Sequence, residues 1–192
     1  MEGLNNMMFE TLRYIGEKLN HEGVKWAVGA SILLNHYGLV DNPNDIDILI
    51  DLEDKEKVDN IFKDLGVGEE KGKTTTYLTR YFGEYKVNNV YVDIMGGFII
   101  NHENGQYEYI FDENSITSSM DLNGINIPLT SLEDWYVAYQ LIPNRDYKVE
   151  IIENHLLKQG IKHMDLLKRA SKQELPDHVK DRISKLVDSL SK

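Results

Sequence analysis

The run Asp45-Ile46-Asp47-Ile48-Leu49-Ile50-Asp51 alternates acidic and apolar side chains, a pattern that an extended strand with one buried face sorts cleanly. Residues two apart on a strand project to the same side, so Asp45 and Asp47 share a face while Ile46, Ile48 and Ile50 enter the core. Two anions side by side repel. A bound cation relieves the repulsion, and hard Mg²⁺ favours carboxylate and phosphate oxygens. A second apolar run, Val90-Tyr91-Val92-Asp93-Ile94, sets one more acid in a strand otherwise suited to burial, where an unpaired carboxylate is costly. Upstream, Gly29 and Ser31 stand where a short strand turns into a helix, a place where free N–H groups and the helix dipole favour phosphate. An anion site, a cation site and a third acid together equip a chain for metal-assisted transfer of a nucleotidyl group.

The rest of the pattern supplies a scaffold. Leu4, Met8, Leu12, Ile15 and Leu19 recur at intervals of three and four, predicting an opening amphipathic helix that ends near Gly23. A strand over 24–28, a helix to Tyr37, the acidic strand, and a helix over about 54–65 follow. Gly66-Val67-Gly68 reads as a turn and 69–73 as a flexible charged stretch, leading to a β-prone run over 74–82. Further strands are expected at 89–94, 107–111 and 125–127. Ser131 reads as the cap of a helix containing Trp135, Val137, Ala138 and Leu141, and three more helices occupy the remainder. The expected fold class is α/β (α+β), a mixed sheet with flanking helices, divided as an α/β core over 1–130 and a helical region over 131–192.

Composition removes other classes. The 192 residues contain no cysteine, so disulfides, thiolate metal sites and thiol catalysis are absent and a cytoplasmic location is expected. No apolar run approaches the roughly 20 residues of a membrane span, and the amino terminus lacks the pattern of a secretory signal. A formal charge of −11 argues against a nucleic-acid partner held through phosphates. Residues 148–192 carry 10 Lys and Arg against 7 Asp and Glu, whereas 1–147 carry 11 against 25, so the candidate site lies in the acidic part. An EF-hand over 41–47 fails because Pro43 takes a ligand position and Ile46 the place of the required Gly. The six histidines are scattered. Tyr77, Tyr81, Tyr85, Tyr91, Tyr107 and Tyr109 offer rings that could stack on a base or an acceptor, but most of them read as strand filling, and Trp26 and Trp135 as core.

Val28-Gly29-Ala30-Ser31, Asp45-Ile46-Asp47-Ile48 and Val92-Asp93-Ile94 resemble, in order and spacing, the signatures of the nucleotidyltransferase superfamily of polymerase-beta type. Lincosamide and aminoglycoside adenylyltransferases and abortive-infection nucleotidyltransferases belong to it. Pro128–Trp135, with Arg145 beyond, is similar to the segment that follows the core in small bacterial members. The resemblance implies transfer of a nucleoside monophosphate from a triphosphate, ATP for preference, to a hydroxyl of a small molecule or protein. It implies that Gly29 and Ser31 hold the triphosphate and that Asp45 and Asp47 ligate Mg²⁺, two ions at most. Asp93 helps ligate one ion and accepts the acceptor's proton. A non-catalytic nucleotide-binding module or toxin–antitoxin component of the same fold is the alternative. Four positions depart from the pattern: Ala30 in the glycine pair, Asp41 and Pro43 where relatives carry Arg and Thr, and Gln140 where they often carry Lys. Arg80, Lys71, Lys73, Arg145 and Lys148 are the candidates to replace the missing charge.

Overall fold

The computed structural model describes residues 2–190, with side chains from 6 to 190; Leu4 of the expected apolar stripe lies outside the described side chains. The chain opens with helix α1 (Glu2–His21), strand β1 (Trp26–Val28), helix α2 (Ala30–His36), strand β2 (Ile46–Ile50) and helix α3 (Lys55–Leu65). Strands β3 (Val67–Glu70), β4 (Tyr81–Val87), β5 (Val90–Gly96), β6 (Ile99–His102), β7 (Gly105–Glu108), β8 (Ser118–Leu122) and β9 (Ile125–Leu129) follow. Four helices complete it: α4 (Leu132–Leu141), α5 (Asp146–Gln159), α6 (Met164–Ser171) and α7 (Asp177–Leu190).

Seven strands form one mixed sheet in the order β3-β4-β5-β2-β1-β9-β8. Two neighbouring pairs, β2 with β5 and β1 with β9, are parallel and the others antiparallel. Leu12, Ile15 and Leu19 of α1 and Val58 and Phe62 of α3 are fully buried, the apolar faces that amphipathic helices lay on a sheet. Ile46 and Ile48 of β2 stand in register with Val92 and Ile94 of β5, and all four are inaccessible to solvent. That alternation turns the acids to the opposite face.

On the acidic side, the β4–β5 hairpin continues past its strands and bends. Backbone bonds from Arg80 to Gly97, Leu78 to Ile99 and Asn101 to Thr76 carry the pairing onward, with an isolated bridge between Tyr77 and Ile100. Gly97 sits at the bend with φ +58°, a left-handed conformation that glycine adopts without steric cost. A Cβ there would also lie 2.9 Å from the Arg80 side chain. The bend sends residues 74–80 and β6 out of the main sheet, so the expected strand over 74–82 contributes only its last two residues to β4. Three further strands depart from expectation. β3 replaces the expected turn and flexible stretch, and β6 and β8 stand where no strand was foreseen. All four residues of β3 are exposed, so its backbone pairing with β4 leaves no apolar alternation to read.

Helix α4 is buried on all sides, with nine of its ten residues out of solvent. Ser131 caps it, accepting from the Asp134 N–H at 3.0 Å. Its acids serve neighbours: Glu133 accepts the N–H groups of Lys162 and His163, each at 3.0 Å, and Tyr136 donates to Glu153 at 2.8 Å. Glu153 in turn pairs with Arg182 of α7 at 2.6 Å. Burial lifts Asp134 to about 6, although Ser131 and Arg169 pull it down. No helix among the described residues is long and apolar enough to cross a membrane.

Candidate active site

Asp47 and Asp93 are register partners on the parallel strands β2 and β5. Asp45, one residue before β2, completes a cluster in which one carboxylate oxygen from each lies within 4.8 Å of the others. The two candidate strands therefore deliver their three acids to one place. Among the described residues, no Lys, Arg or His pairs with any of the three within 4.0 Å. Burial pushes the Asp47 carboxyl well above the carboxylate range, and the charges of Asp45 and Asp93 push it further. Asp93 is lifted to about 6, first by burial, then by Asp45 and Glu84. Carboxylates this close resist ionising together, and oxygen donors in this arrangement fit a hard divalent cation.

Upward shifts give the linkage a definite sign. The folded state holds these protons more tightly than the unfolded chain, so the associated stability is present at low pH and lost as pH rises from about 4 through about 6. Thermal melts in chelator should therefore show an unfavourable contribution from these acids growing between about pH 4.5 and about pH 7. Excess Mg²⁺ should reduce it, and melts that respond identically with and without Mg²⁺ would contradict a cation site here.

The turn before α2, expected to hold the triphosphate, is tied into the fold on both sides. The Gly29 N–H donates to the Asp47 carbonyl at 3.0 Å, locking the turn to β2. A Cβ on Gly29 would stand 2.4 Å from the Trp135 indole, so this glycine is needed for the close approach of an aromatic ring. The same indole donates to Thr130 at 2.9 Å. Ser31 is 3 % exposed, and its hydroxyl donates to the Asp45 backbone oxygen at 3.2 Å and carboxylate at 3.3 Å. Ser31 thus orients an acid, while Ala30, at φ +45°, lines the open space beside it.

That space is a cavity of about 530 Å³ with the three acids in its wall. Its cationic side is formed by Arg145 and Lys148 of the α5 start. Lys148 donates to the Tyr139 hydroxyl at 3.2 Å and lies 4.8 Å from the centre of that ring. Burial lowers the Lys148 pKa, and Asp47 opposes the shift; the net downward direction means desolvation outweighs attraction at this distance. Of the other candidate cations, Lys71 and Lys73 line the cavity. Lys71 is engaged by Glu69 at 2.7 Å and Glu84 at 3.6 Å, and Arg80 is turned to Glu108 at 3.0 Å.

Sequence reasoning missed Glu84, which is the antiparallel register partner of Asp93 and lines the cavity with it. The signal existed. Asn88 and Asn89 both have positive φ between Val87 and Val90, a two-residue hairpin turn whose register follows from its length. Tyr77, Phe98 and Tyr139 also line the cavity; their roles depend on the bend at Gly97 and on α4 packing, which no local pattern encodes.

No protein-family profile and no curated protein matches the chain. Solved structures do. A candidate nucleotidyltransferase from Thermotoga maritima matches with TM-score 0.60 and 29% identity, over 78% of this chain and 92% of that one. The antibiotic-resistance factor ANT(2'')-Ia matches with TM-score 0.60 and 11% identity, over 97% and 96%. The lincosamide antibiotic adenylyltransferase LnuA in its lincomycin-bound form matches with TM-score 0.50 and 20% identity, over 75% and 95%. With an acid cluster on adjacent parallel strands, the chain shares the nucleotidyltransferase fold with these solved structures.

Proposed function

We propose that this protein is a Mg²⁺-dependent nucleotidyltransferase that moves a nucleoside monophosphate from a nucleoside triphosphate, ATP for preference, to a hydroxyl of an acceptor. The observation that carries the reading is the convergence of Asp45, Asp47 and Asp93 within 4.8 Å, in a cavity that also presents Arg145 and Lys148. Three anions beside two cations suit a phosphate chain whose near end is gripped through metal and whose far end is gripped through side chains. The acceptor would reach the cavity between the α/β core over 1–130 and the helical region over 131–192, a division we also propose.

Asp45, Asp47 and Asp93 would hold divalent ions. When bound, the metal polarises the phosphoryl oxygens and neutralises charge that builds on them. Asp93 takes the proton of the acceptor hydroxyl, a task favoured by a carboxyl whose proton affinity is raised. The freed oxygen forms a bond to the α-phosphorus as the bond from that phosphorus to the bridging oxygen breaks, and pyrophosphate leaves with the electron pair. Arg145 and Lys148 neutralise the departing charge. Ser31 keeps Asp45 in its rotamer, and the Gly29 N–H fixes the backbone that carries Asp47. These two are positioning residues for the acids in this reading, and the backbone of the turn is what remains to meet phosphate. A cavity of this volume suits one nucleotide with a small-molecule alcohol better than a protein side chain on its own domain.

Mixing the protein with Mg²⁺, each labelled nucleoside triphosphate and a panel of amino-sugar and lincosamide alcohols should give labelled product and pyrophosphate in equal amounts. No release with any triphosphate and any acceptor in the panel would count against the reading. Lys148→Ala should raise KM for the triphosphate about 10-fold to 100-fold, the loss of one charge-assisted hydrogen bond. An unchanged KM would remove Lys148 from the phosphate grip.

A further inference from the structure

The cavity has an aromatic side that the acids and cations do not explain. Tyr139, Trp135, Phe98 and Tyr77 form a continuous ladder, with ring centres 5.1 Å apart for Tyr139 and Trp135, 6.1 Å for Trp135 and Phe98, and 6.2 Å for Phe98 and Tyr77. All four line the cavity. Three are core, but Tyr77 keeps 38 % of its surface exposed. An aromatic ring left open at a cavity is costly unless something covers it.

Tyr77 is also held in place before anything arrives. Its N–H donates to the Thr74 hydroxyl at 2.9 Å, Leu78 and Asn101 bond across to the neighbouring strand, and Asn101 reaches the Thr75 carbonyl at 3.0 Å. The bend at Gly97 is what swings this segment toward the acids. Tyr77 shares the cavity wall with Arg145, Asp47 and Asp93, where a triphosphate and its metal would sit. Met95 and Phe82, register partners on β5 and β4, form an apolar floor in the same cavity.

We propose that Tyr77 is the stacking platform for the nucleobase and that the favoured base is a purine. The inference rests on the nucleotidyl-transfer reading and adds to it the residue that selects the donor. A flat base attached to a ribose near the acids can lie against the Tyr77 ring, with Met95 and Phe82 lining the apolar ground beneath it. The gain scales with the area covered, so the two-ring bases profit more than the one-ring bases. The ring is pre-placed by backbone bonds, so little conformational freedom is lost on binding.

The test compares the four nucleoside triphosphates with inorganic tripolyphosphate, which has no base, on three proteins in Mg²⁺, with tryptophan fluorescence or calorimetry as readout. Tyr77→Leu should weaken ATP about 10-fold, the effect of one stacking contact, and leave tripolyphosphate within about two-fold. Tyr77→Phe should retain ATP affinity within about three-fold, because the ring remains; it also guards against a folding defect. Wild type should bind ATP and GTP more tightly than CTP and UTP, and Tyr77→Leu should narrow that gap. Equal weakening of ATP and tripolyphosphate by Tyr77→Leu, or no weakening of either, overturns the proposal and leaves nucleotidyl transfer standing. Equal wild-type affinity for the four nucleotides overturns the purine preference. If wild type binds neither ATP nor tripolyphosphate, the nucleotide reading itself falls and takes this one with it.

Discussion

Asp47→Asn should lower nucleotidyl transfer by about 10³-fold or more while raising the melting temperature of the protein in chelator. The first effect follows from the proposed role of Asp47 as a charged metal ligand, whose loss forfeits several kcal/mol of transition-state stabilisation. The second follows from the same charge seen without its counter-ion. Burial and the neighbouring Asp45 and Asp93 make ionised Asp47 unfavourable, and an amide of equal shape carries no such penalty at neutral pH. In wild type, Mg²⁺ at about 100 times its Kd should add about 2.7 kcal/mol. For a chain of this length that is a rise of roughly 5–10 °C. The variant should show little of that rise. Opposite signs from one substitution separate a functional acid from a structural one, because a carboxylate that merely supports the fold would lose both activity and melting temperature. A fall in chelator melting temperature together with unchanged turnover would overturn the assignment.

Gly29→Ala should cost about 3 kcal/mol and lower the melting temperature by roughly 6–12 °C. The added methyl carbon would overlap the Trp135 indole, with Nε1, Cζ2 and Cε2 all within 2.6 Å, and that ring has little room to retreat. It is 2 % exposed, tied to Thr130 and packed against Phe98, Tyr109 and Tyr139. Thr130 in turn bonds Val28 through both its N–H and its hydroxyl, so a displaced indole disturbs the β1–β9 junction. Differential scanning calorimetry of the variant checks the value. A variant that melts with wild type would show that the turn at 29–31 can shift freely, contrary to its bond with the Asp47 carbonyl. Trp135→Phe in the same background should recover part of the loss, because the smaller ring vacates the contact atoms.

How much of this was legible in the sequence depends on how local each signal was. The acidic strand could be read because its alternation is carried by consecutive residues, and Asp93 because a lone acid in an apolar run is conspicuous. The helices of the last quarter could be read from their apolar spacing. Strand β3 could not, since its exposed residues contribute only backbone bonds to β4. The β-prone run over 74–82 misled because Gly97, 15 residues further on, bends its partner strand. The use of Gly29 as room for Trp135 depends on two residues more than a hundred positions apart, and no spacing rule links them. Ser31 was placed at the right turn, yet its hydroxyl faces Asp45, which depends on the path of the 37–45 loop. Glu84 lay within reach of a register count through the Asn88-Asn89 turn.

Because the second and third acids sit opposite one another on adjacent parallel strands, their separation is set chiefly by the spacing of the backbone ladder, about 4.8 Å, and only secondarily by what surrounds them. Hydrogen bonding acts as a ruler that sequence drift cannot stretch. Surfaces, loops and helix contacts can therefore be rewritten almost completely while the spacing of these two acids is kept, and chains as different as 11% identity still share one fold.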